Sequence, residues 1–395
     1  MTPIRPGHLI RGCVLPFARL GASAWLGCVL LALAVSAVPR TGSAQPAPIA
    51  IGMSTPLTGP TASYGKGLAQ GVRAGLAHAR GGGLEARRVE LLVRDDGGDP
   101  QRTMANTREL LQAGVVALTG YHGARPLEAA LPLLDARGST PMVGAASSAE
   151  SLRTPPRRWL FNLRAAAGDE TAAMVFHLDT IGIGQIAVIA QDDGLGRAGV
   201  EGMEVELARI SVRPVAIARV SAQAGQREIE DAVETVCKAS PQAALLALDA
   251  RNALLAIRQA RQRNCRPQFY LLSEAGSDLA AQGASPAEIA GVVVSQVLPS
   301  PERPAHPLAA EFMRDVPRDP AVSRYAALEG YLYGRVLAES LRVCARTPVG
   351  DCMIAAIEGG RVEVPGYRLK FGAQERRGSR FVELTLIGAD GRLHR

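Results

Sequence analysis

Residues 49–94 contain the pattern that decides the fold. Ile49–Met53 (IAIGM) is an apolar run of strand length, residues 65–79 (GKGLAQGVRAGLAHA) have helical spacing, and residues 89–94 (VELLVR) form a second apolar run. A strand, a helix and a further strand in this order form the repeating unit of a parallel sheet, whose two faces are covered by helices. We therefore predict that this region folds as an α/β unit.

The same alternation continues along most of the chain. The first set is completed by a helix from Pro100, a strand at 115–119, a helix at 126–137 and a strand at 141–144. A second set follows residue 162, with helices at 168–181, 196–210, 226–238 and 252–263 and strands at 185–190, 213–220, 243–248, 268–272 and 292–296. Two such sets predict an α/β fold with two parallel-sheet lobes of similar size.

The pattern changes after the second set. Residues 299–307 (PSPERPAHP) are rich in proline and precede two helical patterns, at 307–316 and 321–343. Two short β-like runs follow, Tyr367–Phe371 and Phe381–Ile387. We expect this last segment to pack on one of the two lobes.

The N-terminal residues have the features of a secretory signal peptide. Arg5, Arg11 and Arg19 are followed by an uncharged apolar stretch at 20–38, and the small residues 42–44 provide a cleavage site. We predict a cleaved signal peptide at 1–44 and export to the periplasm. A retained membrane anchor is the alternative, because 19 apolar residues nearly span a bilayer.

The net charge depends strongly on this leader. The 395 residues include 44 Lys and Arg against 37 Asp and Glu, a net charge of +7. Four of the arginines, at positions 5, 11, 19 and 40, lie in the predicted leader, which has no acidic residue. Without the leader the excess falls to +3 and the basic residues are scattered, so we expect no nucleic-acid partner.

Four cysteines remain after the leader: Cys237, Cys265, Cys344 and Cys352. An even number in an exported protein suggests disulfide bonds. Cys344 and Cys352 lie eight residues apart across a turn, and Cys237 and Cys265 each follow a helix in consecutive units. A zinc site is the alternative, but no C-x-x-C spacing is present, so we expect no metal.

Motifs for nucleotide binding and hydrolysis are absent from the sequence. Residues 59–66 (GPTASYGK) resemble a phosphate-binding loop, but five residues separate the glycines and Gly67 follows the lysine. There is no G-x-S-x-G or H-E-x-x-H motif. Asp95–Asp96 and Asp192–Asp193 precede glycines and are expected to cap the helices that follow. We therefore predict a protein without cofactor and without enzymatic activity.

The loops after the strands are the candidate ligand site, because ligands of open α/β sheets bind at the carboxyl ends of the strands. In the first lobe these loops are residues 54–64, 120–125 and 145–148, whose hydroxyl and N–H groups suit an anion such as a carboxylate. In the second lobe the loops 191–196, 249–252 and 273–276 contain the acids Asp249 and Glu274, which suit an ammonium group.

An ordered series of segments resembles one known family. These are STPLTGPTASYGKG (54–67), RDDGGDPQRTMANTRELL (94–111), AASSAESL (145–152), QDDGLGRAG (191–199) and IRQARQ (257–262). They resemble the periplasmic branched-chain amino-acid-binding (Leu/Ile/Val-binding-like) family, the type I solute-binding proteins of ABC transporters. The resemblance extends over about residues 49–392.

The resemblance implies two lobes joined by three crossings that close on a ligand. Lobe one would comprise residues 48–163 and 299–380, and lobe two residues 164–298 and 381–395. The crossings would lie near 162–164, 297–300 and 379–382. The late helices would then return to lobe one.

The resemblance also implies positions for the ligand-binding residues. Family members hold the ligand carboxylate with two lobe-one loops, which match Gly123–Ala124 and Ala145, Ala146 and Ser147. The family's aromatic positions match Tyr64 and Tyr325, and its acidic position falls near Glu274. With Asp249, His122 and Arg125 added from the loops, the predicted ligand-binding residues are Tyr64, His122, Gly123, Ala124, Arg125, Ala145, Ala146, Ser147, Asp249, Glu274 and Tyr325.

Several positions depart from the family pattern. Ala124 stands where a serine is common, Asp249 where an aromatic residue is known, and Leu195 where a tyrosine is known. Gly98 and Gly123 stand where some members have cysteines. His122 and Arg125 are expected to compensate as anion partners, and the pocket should be more polar than a leucine site.

We therefore expect the periplasmic solute-binding component of an ABC importer, which takes an amino acid or a related small polar carboxylate. Its partners would be the inner-membrane permease subunits, and it would be a monomer. The alternative is a ligand-sensing receptor on the same fold that signals to a regulatory partner. An exported hydrolase is a third reading, which the missing nucleophile–base motif disfavours.

Overall fold

Two β-sheets, each covered by helices, organise the chain. The structure is a computed structural model, and it describes residues 47–80, 84, 87–276, 278–372 and 374–394. The predicted signal peptide at 1–44 lies outside the described residues. Within the described part of the chain, no helix is both long and apolar enough to cross a bilayer.

The first lobe is built on a five-stranded parallel sheet. Its strands are β1 (Ile49–Thr55), β2 (Val89–Asp95), β3 (Ala117–His122), β4 (Met142–Ala146) and β5 (Leu160–Phe161), in the order β2-β1-β3-β4-β5. The helices of this set are α1 (Ala62–Leu76), α2 (Pro100–Gln112) and α3 (Ala124–Arg137). A 3₁₀ turn at Glu150–Leu152 follows β4. The predicted parallel α/β unit is confirmed.

The second lobe is built on a seven-stranded sheet with order β12-β11-β10-β9-β8-β6-β7. Its strands are β6 (Ile186–Gln191), β7 (Ala216–Val220), β8 (Ala243–Ala247), β9 (Gln268–Leu271), β10 (Val293–Gln296), β11 (Glu383–Ile387) and β12 (Leu393–His394). Its helices are α4 (Ala167–Thr180), α5 (Gly194–Arg209), α6 (Gln226–Lys238), α7 (Ala250–Gln262), α8 (Ser273–Gly276) and α9 (Pro286–Ile289), with a 3₁₀ turn at Ala280–Gln282. Strands β6 to β10 pair in parallel, whereas β11 and β12 are antiparallel.

The late helices return to the first lobe. They are α10 (Pro307–Asp315), α11 (Arg324–Val343) and α12 (Gly350–Glu358). Leu308, Phe312 and Tyr331 are fully buried in the same apolar core as the strands of the first sheet. The chain therefore changes lobe three times: between β5 and α4, between β10 and α10, and between α12 and β11.

Glycines allow α1 and α11 to pack closely. A Cβ atom at Gly71 would lie 1.9 Å from the carbonyl oxygen of Ala327, and one at Gly330 would lie 2.1 Å from that of Leu68. Such distances are far shorter than van der Waals contact, so both positions exclude a side chain. The small residues of the predicted first helix thus form its contact surface with α11, which is distant in the sequence.

Polar side chains fix where the helices begin. Asp99 caps α2 by accepting a hydrogen bond from the Arg102 amide at 2.8 Å. Asp193 caps α5 at Gly196, as its position before a glycine predicted. The prediction was wrong for Asp95 and Asp96, whose carboxylates accept from the Gly97 and Gly98 amides in the turn before α2.

The predicted strand at Tyr367–Phe371 is wrong. Tyr367 forms only an isolated bridge with Val364, and its hydroxyl donates to the Leu163 carbonyl at 3.1 Å. Leu369 and Phe371 pack against the core of the first lobe without strand pairing. The alternate apolar side chains of this run, Tyr367, Leu369 and Phe371, cover this core.

Other boundaries shift by a few residues. Helix α1 begins at Ala62 where 65 was predicted, and β7 begins at Ala216 where 213 was predicted. Helix α11 begins at Arg324 because Ser323 caps it, with its Oγ accepting from the Ala326 amide. Helix α12 and strands β5 and β12 were not predicted.

Two disulfide bonds join the four cysteines of the described chain. Cys237 pairs with Cys265 at a Cα separation of 5.8 Å, and Cys344 pairs with Cys352 at 6.0 Å. These are the pairs that the spacing suggested. Groups of three or more metal-ligating side chains are not found in the described residues.

Candidate functional site

The loops after the strands of both sheets meet around one cavity. It has a volume of about 190 Å³. Its walls are Thr61, Gly98, His122, Gly123, Ala124, Arg125 and Pro126 from the first lobe, and Gln191, Asp193, Leu195, Ala222, Asp249, Ala250, Glu274, Ala275 and Asp278 from the second. Parallel strands end at one edge of their sheet, so the topology brings the predicted loops together.

The N-terminus of α3 forms the first-lobe wall. Gly123 is its N-cap residue with φ +87°, and no side chain of the described structure caps this helix. The amides of the first turn therefore lack side-chain acceptors, and the positive end of the helix dipole faces the cavity. The exposed Arg125 adds a cation to the same wall. This wall suits an anionic group of a ligand.

His122 lines the cavity as a neutral ring. Its Nδ1 lies 3.1 Å from the Ala146 carbonyl oxygen, and its ring stacks on Tyr64 with centroids 4.3 Å apart. Burial lowers the pKa of the imidazole. A carbonyl oxygen only accepts, so Nδ1 carries the proton and Nε2 is an acceptor. The expected role of His122 as an anion partner stays a prediction, and it would require a protonated ring.

Two acids of the second-lobe wall are helix caps. Asp249 caps α7, with Oδ1 accepting from the Asn252 amide at 2.9 Å. Gln191 links both caps, because its Nε2 donates to Asp193 and its Oε1 accepts from the Asp249 amide. Burial, together with the charge of Asp193, raises the pKa of Asp249 against the effect of the cap.

Glu274 bridges the two lobes. Its Oε1 accepts a hydrogen bond from the backbone amide of Ser148, which follows β4 of the first lobe. The side chain is 9% exposed, and burial raises its pKa although Arg164 opposes this effect. One carboxylate oxygen of this predicted ammonium partner is thus bound within the protein.

Asp278 is a site residue that the sequence reasoning missed. It is 2% exposed and lines the cavity four residues beyond Glu274. Its Oδ2 lies 3.3 Å from Nε2 of Gln282, and Ser63 hydrogen-bonds to it, while Oδ1 has no hydrogen-bond partner among the described residues. Burial raises the pKa of Asp278 to about 6. The predicted loop ended at residue 276, so this acid fell outside it.

The remaining predicted residues do not line this cavity. Tyr64, Ala145, Ala146 and Ser147 are buried behind it, and the Tyr64 hydroxyl donates to Glu329 at 2.5 Å. Tyr325 lines a different cavity of about 530 Å³, together with residues of α9, β11 and β12. The two family-derived aromatic positions are therefore not among the residues that line this cavity, and their contact with the ligand stays a prediction.

A buried charge network lies behind the cavity where the chain first crosses between lobes. Arg164 is 1% exposed, and its Nη1 lies 3.3 Å from both Oε1 of Glu329 and the Tyr64 hydroxyl. Its Nη2 donates to the hydroxyls of Ser148 and Ser273. The network thus joins first-lobe groups to the β9 end of the second lobe.

Glu170 completes this network from the start of α4. It accepts from the Ser148 hydroxyl at 2.6 Å, from the Ser273 amide at 2.8 Å and from the Ser295 hydroxyl. Burial raises its pKa, and Arg164 opposes this effect. Arg164, Glu170 and Glu329, with their serine and tyrosine partners, are called the hinge network below.

The fold and the cavity define a two-lobed protein of the ligand-binding class, with a candidate ligand site between the lobes. A family model described as periplasmic binding protein matches residues 48–392. The chain belongs to this family, in its type I, Leu/Ile/Val-binding-like group, so the predicted resemblance is confirmed. Membership implies a ligand-binding receptor with an extracytoplasmic location.

Solved structures share the whole fold. A "possible leucine/isoleucine/valine-binding protein" from Rhodopirellula baltica has a TM-score of 0.76 and 28% identity, covering 89% of this chain and 97% of that one. A substrate-binding periplasmic protein from Ralstonia solanacearum has a TM-score of 0.77 and 28% identity, covering 88% and 99%. The curated relative "Leu/Ile/Val-binding protein homolog 2" of Brucella abortus is 30% identical over 86 residues, 22% of this chain. The match spans 23% of that relative's length.

Proposed function

We propose that this chain is the periplasmic solute-binding component of an ABC importer and binds an amino acid or a related small polar carboxylate. Its lobes, at 48–163 with 299–380 and at 164–298 with 381–395, would close on the ligand. The leader at 1–44 directs the export that this role requires. The protein acts as a monomer, delivers its ligand to membrane permease subunits and performs no covalent chemistry on it.

The main support for the proposal is the opposite charge of the two cavity walls. The first-lobe wall offers the amides at the start of α3 and the cation Arg125. The second-lobe wall carries only acids among its charged side chains: Asp193, Asp249, Glu274 and Asp278. A zwitterion fits both walls at once when the lobes meet, with its carboxylate at α3 and its ammonium at the acids. Binding to both walls favours the closed state.

The test is ligand binding by the purified exported protein. We would measure thermal shifts and calorimetric affinities for the twenty L-amino acids, and for the amide and the decarboxylated amine of each amino acid that binds. At a concentration of about 100 times Kd, an amino acid should stabilise the protein by about 2.7 kcal/mol. The amide and the amine should bind at least tenfold more weakly, because each lacks the carboxylate.

These two analogues are the matched controls, since each differs from its parent amino acid at the carboxylate alone. Failure of every amino acid and related carboxylate to bind would contradict the proposed ligand class. Uptake of the labelled ligand by cells that lack the gene then tests the importer role. Unchanged uptake together with intact binding would favour the sensing alternative.

A further inference from the structure

The charged groups of the cavity are unbalanced. Among the described residues that line it, four carry carboxylates, whereas Arg125 is the one permanent cation, and His122 is neutral. A zwitterionic ligand brings one charge of each sign and leaves this imbalance unchanged. The walls therefore favour a ligand that carries more positive than negative charge.

Three of the four acids accept hydrogen bonds from backbone amides. Asp193 and Asp249 accept backbone amides at the starts of α5 and α7, where the helix dipole favours a negative charge. Glu274 accepts the Ser148 amide and lies near enough to Arg164 for this cation to lower its pKa. Asp278 differs from them, because its hydrogen-bond partners in the described structure are the neutral side chains of Gln282 and Ser63 and its Oδ1 has no partner.

A purely structural role does not account for a carboxylate at Asp278. Its neighbour Gln282 donates to the Pro60 carbonyl oxygen at 2.6 Å, so this corner joins the second lobe to the first. Gln282 and Ser63 are both neutral, and an asparagine could accept the same hydrogen bonds. Burial of an unpaired carboxylate is costly unless a cation binds to it. Asp278 lines the ligand cavity, where a ligand can supply that cation.

We propose that the ligand is a cationic amino acid whose side-chain ammonium or guanidinium group pairs with Asp278. This inference rests on the proposed function, since it concerns the ligand of the same cavity. The ligand carboxylate lies at the start of α3, its α-ammonium faces Asp249 and Glu274, and its side chain extends to Asp278. A neutral aliphatic side chain would leave Oδ1 of Asp278 desolvated and unpaired, which disfavours leucine.

Isothermal calorimetry on the exported protein tests the inference with L-lysine, L-arginine, L-leucine and the diamine cadaverine. L-lysine or L-arginine should bind at least 30-fold more tightly than L-leucine. Asp278→Asn should weaken binding of the cationic amino acid at least 20-fold and change L-leucine affinity less than threefold. Asp278→Ser repeats the test should the first variant fold poorly.

Asp192→Asn is the matched control. Asp192 lies next to a capping acid, but its side chain is 73% exposed and it does not line the cavity, so binding should be unchanged. Tighter binding of L-leucine than of both cationic amino acids would overturn the inference and leave the proposed function intact. Binding of cadaverine alone would support the cation site and overturn the carboxylate part of the proposed function. No binding of any of these four probes would overturn the inference, and the full amino-acid series described above would then decide the proposed function.

Discussion

The raised pKa of Asp278 predicts that ionisation of this carboxyl destabilises the unliganded protein at neutral pH. The folded state raises the pKa of this carboxyl to about 6, so the folded protein binds its proton more tightly than the unfolded chain. The free energy of unfolding therefore falls as the pH rises from about 4 to above 6. A rise in pKa of this size corresponds to roughly 3 kcal/mol.

We expect Asp278→Asn to stabilise the unliganded protein at pH 7.5, by up to about 3 kcal/mol, because the amide cannot ionise. At pH 4 the advantage should disappear, since the native carboxyl is then protonated. Denaturant unfolding at a series of pH values measures this difference. For Asp192→Asn, the difference in stability from the parent protein should be the same at both pH values. If the stability difference between Asp278→Asn and the parent were also the same at pH 7.5 and at pH 4, the raised pKa of Asp278 would be contradicted.

A variant that stabilises the fold and weakens the ligand complex is characteristic of a binding residue. No local pattern in the sequence reveals it, because the unpaired state of Oδ1 depends on loops from both lobes. The caps Asp193 and Asp249, by contrast, stand directly before helices and are recognisable from the sequence alone. The order of strands and helices predicts which side chains lie at the carboxyl edge of a sheet. Only the packed structure shows which atoms of those side chains have hydrogen-bond partners.

At the scale of elements, the strand and helix pattern predicted most of the fold. The strands β1, β6 and β8 are buried except for the half-buried Ala50 and are apolar over most of their length. Each is followed by a helix that begins at the cavity. The pattern is misleading at Tyr367–Phe371, where apolar side chains cover a core without strand pairing. It also does not reveal β12, because two residues carry too little pattern to recognise.

The contact of α1 with α11 gives a prediction at this scale. Gly71→Ala should lower the free energy of unfolding by roughly 1–3 kcal/mol or more, because its Cβ would lie 1.9 Å from the Ala327 carbonyl oxygen. Either the helices move apart or the backbone shifts. Thermal and denaturant unfolding of the variant measure the loss.

Gly184→Ala is the control for this substitution. A Cβ atom at Gly184 would meet no atom within 4 Å, and its backbone does not have a positive φ. The same addition of one methyl group should therefore change the stability by less than about 0.5 kcal/mol. An equal loss of stability for Gly71→Ala and Gly184→Ala would show that the close approach of α1 and α11 does not exclude a side chain at position 71.

At the scale of the whole molecule, the hinge network joins the lobes through buried charges. Arg164→Leu should destabilise the protein by about 3–5 kcal/mol, because it leaves Glu170 and Glu329 buried without their cation. Denaturant unfolding measures the loss. Small-angle scattering would show whether the lobes also separate.

Arg158→Leu is the control for the hinge network. Arg158 pairs with Asp351 at 3.1 Å, but both side chains are more than half exposed. Exposed pairs of this kind contribute about 0–1 kcal/mol, so the variant should remain close to the parent. A loss at Arg164→Leu no larger than that at Arg158→Leu would mean that the buried network contributes little.

The three crossings between lobes also govern when the protein can fold. The first lobe includes α10 to α12, so it is complete only after residue 358 has been synthesised. The sheet of the second lobe includes β11, so it is complete only after residue 387. Contacts such as Tyr64–Glu329 and Asn162–Arg377 join residues more than 200 positions apart. Such high contact order slows folding. The growing polypeptide therefore lacks the complete core of either lobe until most of the chain has been synthesised.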